Sequence, residues 1–162
     1  MDKKLQKAYC DQIKNELYSA YLYLGMAAYF EARNLSGFAH WMKVQFKEET
    51  AHAMKMFDFL NDRGVKVVLQ AIAQPTVEYS SCQDAFETTL AHEKKVTSLI
   101  NGLVEISRKV EDNASLAFLQ WFVSEQVEEE KNATMILETL KMLRGESAAV
   151  IMLDRELARR GE

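Results

Sequence analysis

One spacing occurs twice in this chain. Glu16 is followed 33 positions later by Glu49 and 36 positions later by His52. Glu93 is followed 33 positions later by Gln126 and 36 positions later by Glu129. Each half therefore carries an acid, then two ligand-type side chains three residues apart, a step that keeps both on one helical face. In an antiparallel helical hairpin, residues equidistant from the turn lie at one height. The midpoint of Glu16 and Glu49 falls between Ala32 and Arg33, and that of Glu93 and Gln126 between Lys109 and Val110. Turns at those two places bring all six side chains to the middle of a bundle.

The pattern along the chain supplies those turns. Leu5, Tyr9, Ile13, Glu16, Ala20, Tyr23, Ala27 and Phe30 recur at steps of three and four, which predicts a helix over about 4–32. Arg33 to Gly37 breaks it, with Ser36 as the expected N-cap of a second helix ending near Asp62. Gly64 suits a left-handed cap. Residues 65–80 lose the helical period and hold the single proline, Pro75. An extended segment of that length reaches about 50 Å, enough to cross a helix of about 40 Å. A third helix is expected from Ser81 to about Lys109, a fourth from Ala114 to Leu143, and a short fifth over about 147–159.

The fold class is thus all-α: a four-helix bundle over about 4–144, with a long crossover between the second and third helices, and a short C-terminal helix. One domain over 1–162 is expected. One proline and six glycines disfavour a many-turned β fold. A net charge of −4 disfavours nucleic acid as a partner. The longest apolar run, Ala20 to Phe30, is too short to span a membrane. Cys10 and Cys82 share no motif spacing and read as free thiols in a cytoplasmic protein. Their role is otherwise open.

Taken singly, each glutamate reads as a solvated helix face. Four of them meeting among Leu17, Leu24, Met56, Phe57, Phe59, Leu90, Val96, Phe122 and Val123 would cost several kcal/mol each if left unpaired. Two divalent cations balance four carboxylates. Oxygen-rich ligation with one imidazole suits iron, and leaves positions for water or O₂.

With these motifs in place, Glu49-x-x-His52 and Gln126-x-x-Glu129, the crossover and five helices in this order, the whole chain resembles a bacterial non-haem ferritin. The general di-metal constellation of such bundles is well described. The resemblance implies that Glu16, Glu49 and His52 hold one iron, and that Glu49, Glu93 and Glu129 hold the other. Gln126 would sit beside the second iron, and Tyr23 would donate a hydrogen bond or an electron. It further implies a third iron position at Glu48, Glu125, Glu128 and Glu129. Glu130 is read as part of a solvated charge run.

Departures from related families also inform. Thr50 stands where haem-binding relatives carry the axial methionine, so no haem is expected. Met26, Met42, Met54 and Met56 are read as core filler. His40 and His92 join no cluster; His92 lies about 100° round the helix from Glu93 and is read as surface.

The resemblance implies iron storage with ferroxidase activity, using O₂ or H₂O₂ and depositing ferric oxo-hydroxide inside a 24-chain homo-oligomeric shell. An apolar face on the fifth helix is expected to need a neighbouring subunit. The alternatives are a di-iron oxidase or oxygenase without a storage role, a metal-free structural bundle, and a mini-shell DNA-protecting ferritin. The last of these places its site between subunits.

Overall fold

The computed structural model describes residues 1–145 and 147–161. Its helices are α1 (Lys3–Glu31), α2 (Ser36–Asp62), α3 (Cys82–Lys109), α4 (Asn113–Leu143) and α5 (Ser147–Leu157). Local chemistry sets most of their ends. Asp2 accepts from the amides of Lys4 and Leu5 to cap α1. Ser81 caps α3 through the Asp84 amide, at the expected start of that helix. Asp112 caps α4 through Ser115, so α4 begins one residue before the expected Ala114. Gly64 takes the left-handed conformation at φ 66°, and Gly145 at φ 75° ends α4.

The start of α2 differs from expectation. Ser36 lies inside the helix, and Leu35 occupies the capping position without a side-chain acceptor. Asp154 of α5 supplies one: its Oδ1 accepts from the Gly37 amide at 2.8 Å and the Phe38 amide at 2.9 Å. A Cβ on Gly37 would stand 1.6 Å from the Asp154 carbonyl oxygen. Glycine is what permits this approach.

Residues 65–80 carry no helix or strand. The segment tracks α1 from one end to the other. Gln6 donates to the Lys66 carbonyl at 2.8 Å, the Val68 amide meets the Cys10 sulfur at 3.4 Å, and Gln70 donates to Asp11. Further on, Pro75 packs at Gly25, and the Tyr79 ring lies 5.1 Å from that of Tyr29. The crossover therefore spans the bundle, and α3 starts at the end where α2 starts. The two helices are parallel, as expected.

The core falls into two apolar clusters. One gathers Met26, Phe30, Phe38, Met42 and Phe86. The other gathers Leu5, Tyr9, Met56, Val96, Leu119 and Phe122. Glu16, Glu49, Glu93, Gln126 and Glu129 come between them along α1 to α4. Met54, expected as core filler, is exposed, and so is Leu24 among the flanking apolar residues, because each falls off its helix's inward stripe.

The fifth helix is a further correction. Leu157 is buried and Val150 and Leu153 pack on the first cluster, so its own bundle covers much of the apolar face. Ile151 and Met152 remain exposed.

Candidate metal centre

Glu16 on α1, Glu49 and His52 on α2, Glu93 on α3, and Gln126 and Glu129 on α4 are each no more than 5% exposed. Ligand atoms of Glu16, Glu49 and His52 lie within 4.8 Å of one another, close enough to share one ion. His52 Nδ1 stands 3.5 Å from Glu49 Oε2. That carboxylate oxygen is buried and has no hydrogen-bond partner. An orphaned carboxylate oxygen beside an imidazole is what a cation site leaves unsatisfied.

The remaining acids are oriented by neighbours. Gln12 donates to Glu16 Oε1 at 2.8 Å, and Gln45 donates to Glu129 Oε2 at 2.9 Å. The Tyr23 hydroxyl donates to Glu93. Gln126 Nε2 also donates to Glu93, at 3.2 Å to Oε2, and to Thr97 Oγ1 at 3.3 Å. Gln126 thus faces the Glu93 side of the group.

Burial dominates the electrostatics. It pushes Glu16 up to about 7 and Glu129 up to about 8, with the Glu93 charge adding to both. Glu49 is driven well above the ordinary carboxylate range by burial and by Glu16, Glu93 and Glu129. Glu93 is raised by burial, against the hydrogen bonds from Tyr23 and Gln126. Burial, with Lys55 nearby, lowers His52 to about 4, which leaves its imidazole neutral and able to ligate. Such a group holds protons until cations replace them.

A second group of possible ligand atoms joins His52, Glu125 and Glu129. His52 Nε2 lies 3.9 Å from Glu125 Oε1. Of the residues expected at a third position, Glu125 and Glu129 are here, Glu128 is exposed nearby, and Glu48 pairs with Arg160 at 2.7 Å. Glu130 is more than part of a charge run, since it accepts from Thr97 at 2.5 Å.

The sequence reading missed several neighbours. His92 is not on the surface: its Nε2 is 2.7 Å from Ser19 Oγ, and its ring packs on Tyr18 and Tyr23. Burial lowers it to about 4. His40 Nε2 meets the Arg160 carbonyl at 2.8 Å. Trp121 lies edge-on to His52 at 5.3 Å. Gln12 and Gln45 did leave a signal, because each precedes a site glutamate by four residues on the inward stripe.

Comparison with known proteins agrees with this geometry. A family profile described as a ferritin-like domain matches residues 6–143. Bacterial non-heme ferritins of Staphylococcus epidermidis and Staphylococcus aureus are 36% and 35% identical over 160 residues, covering 99% of this chain and 96% of each relative. An open-pore ferritin of Archaeoglobus fulgidus superposes with a TM-score of 0.98 at 46% identity, covering 99% of both chains. An engineered closed form of that ferritin gives 0.98 at 47% identity, covering 99% of this chain and 98% of its own. With four buried glutamates and a histidine between its core layers, and with relatives alike over nearly its full length, the chain belongs to the ferritin family.

Proposed function

We propose that the six-residue group is the oxidation centre of an iron-storage ferritin, with iron as its substrate. As a ferritin the chain binds and stores iron and oxidises Fe²⁺. In our reading, Glu16, Glu49 and His52 take one Fe²⁺, while Glu49, Glu93 and Glu129 take the second, with Glu49 between them. Gln126 and Tyr23 hold Glu93 in position. Each Fe²⁺ gives one electron to the oxidant, O₂ or H₂O₂. Hydrolysis of the resulting Fe³⁺ yields ferric oxo-hydroxide and protons. Carboxylate ligands favour Fe³⁺ over Fe²⁺ and so assist the oxidation. A third iron position at Glu48, Glu125, Glu128 and Glu129 would receive iron next.

The observation that carries this reading is the buried, unpartnered Glu49 Oε2 between Glu16 and His52. Its test is aerobic addition of Fe²⁺ to wild type and Glu49→Ala, followed at the near-ultraviolet ferric band. Wild type should oxidise rapidly and the variant slowly. Equal rates would defeat the assignment.

Storage implies a closed shell, for which we propose 24 chains in the cytoplasm. Among the described residues, no helix is long and apolar enough to cross a membrane. Ile151 and Met152 of α5 offer exposed apolar surface for subunit contact. Size-exclusion mass is the check: a stable monomer or dimer removes the shell. The oxidase alternative draws on a cavity of about 320 Å³ lined by Thr97, Ile100, Asn101, Val123, Gln126 and Glu130. It predicts that oxidised iron leaves the protein. A storage protein instead retains the oxidised iron through gel filtration.

A further inference from the structure

Arg160 follows the end of α5 and reaches back to α2. Its backbone carbonyl meets His40 Nε2 at 2.8 Å. Its guanidinium lies over the Trp41 ring, 4.6 Å from the centroid. Nη2 donates to Glu48 Oε2 at 2.7 Å, and Nη1 is buried without a partner. The side chain is 20% exposed, against 37% for Glu48. Arg160 is thus anchored by its backbone and by an aromatic face, and spends its charge on one carboxylate.

That carboxylate borders the acid group of Glu125, Glu128 and Glu129. Glu48 and Glu128 both raise Glu125, and Glu48 raises Glu129, which Arg160 in turn lowers. The ligand-like atoms of His52, Glu125 and Glu129 converge, and Glu48 is not among them. Its oxygen is turned to the guanidinium instead.

We propose that Arg160 is a resident cation that competes with iron for Glu48. The guanidinium holds Glu48, and a divalent cation seated beside Glu125 and Glu129 gains that ligand only by displacing it. The anchors on His40 and Trp41 keep Arg160 within reach, so it reclaims Glu48 when the cation moves on. Arg160 is therefore a positioning residue that weakens the third position and speeds transfer of iron out of it. This rests on the third-position reading above.

Zinc, a redox-silent divalent probe, tests it by calorimetric titration of the intact assembly. Wild type should show two tight binding events per chain and one weaker third event. Arg160→Gln should tighten the third event about two- to fivefold, the range of a partly exposed ion pair, and leave the first two unchanged. Arg160→Lys keeps the charge and should bind nearly as wild type does. Glu48→Gln should weaken the third event and abolish the effect of Arg160→Gln in the double variant. A third event indifferent to Arg160→Gln, or an effect that persists with Glu48→Gln, overturns the competition alone. Two tight events with no third overturn the third position, and the competition with it. Should Arg160→Gln unfold, seen by circular dichroism, Arg160→Met takes its place, since it removes the charge and keeps an apolar stem against Trp41; a third event equal to wild type in that variant overturns the proposal.

Discussion

Asp154 of α5 caps α2, accepting from the Gly37 and Phe38 amides at 2.8 and 2.9 Å. The charge also sits where the helix dipole favours it. Asp154→Ala should destabilise the chain by about 1 kcal/mol, the usual loss for an N-cap. Gly37→Ala should do more, since its Cβ would meet the Asp154 backbone and α5 would have to lift. Thermal unfolding of both variants checks the order; a Gly37→Ala midpoint equal to wild type would contradict the close approach.

Stability of the metal-free protein should fall as pH rises from about 6.5 to about 8. Glu129 is raised from 4.5 to about 8. Below 4.5 the folded and unfolded chains both hold its proton. Above that, the unfolded chain releases the proton first, so the advantage of folding is lost through the folded pKa. His52, lowered from 6.5 to about 4, acts oppositely and only below 6.5. Melting temperatures across this window should drop for wild type and flatten for Glu129→Gln. A wild-type profile that rises instead would sink the electrostatic account.

Cation binding near pH 7 should expel protons. Glu16 at about 7, Glu129 at about 8, and Glu49, which burial and its neighbouring acids hold well above the ordinary carboxylate range, must ionise to ligate. About one or more protons per chain should appear when zinc is added in weak buffer with an indicator dye. Release that is unchanged in Glu49→Ala would place the binding elsewhere.

Tyr23→Phe should preserve the fold and slow Fe²⁺ oxidation several-fold. Its ring packs edge-on to Trp41 at 6.4 Å and to His92 at 6.3 Å, contacts that phenylalanine keeps. What it loses is the hydroxyl that holds Glu93, and an unsatisfied buried acceptor costs about 1–3 kcal/mol. Stopped-flow absorbance at the ferric band measures the rate, and circular dichroism the fold. An unaltered rate would leave Tyr23 a packing residue.

The sequence by itself determined the parts that follow from period and pairing. Five helices, a crossover along the bundle and six inward side chains at one level are consequences of steps of three and four and of two turn midpoints. The start of the third helix at Ser81 was also within its reach, because a serine followed by an early acid is a local capping signal. Only the tertiary structure decided which oxygens are satisfied and by whom. Asp154 caps a helix 117 residues away, and Arg160 takes Glu48 from 112 residues away. Neither contact belongs to the paired hairpin spacing, since both come from the fifth helix and the residues after it. His92 shows the limit in one residue: its own helix turns it away from Glu93, yet α1 covers it with Ser19, Tyr18 and Tyr23. The unpartnered Glu49 oxygen is likewise a fact of packing, since burial removes water from every side and only the assembled bundle shows that no donor replaces it.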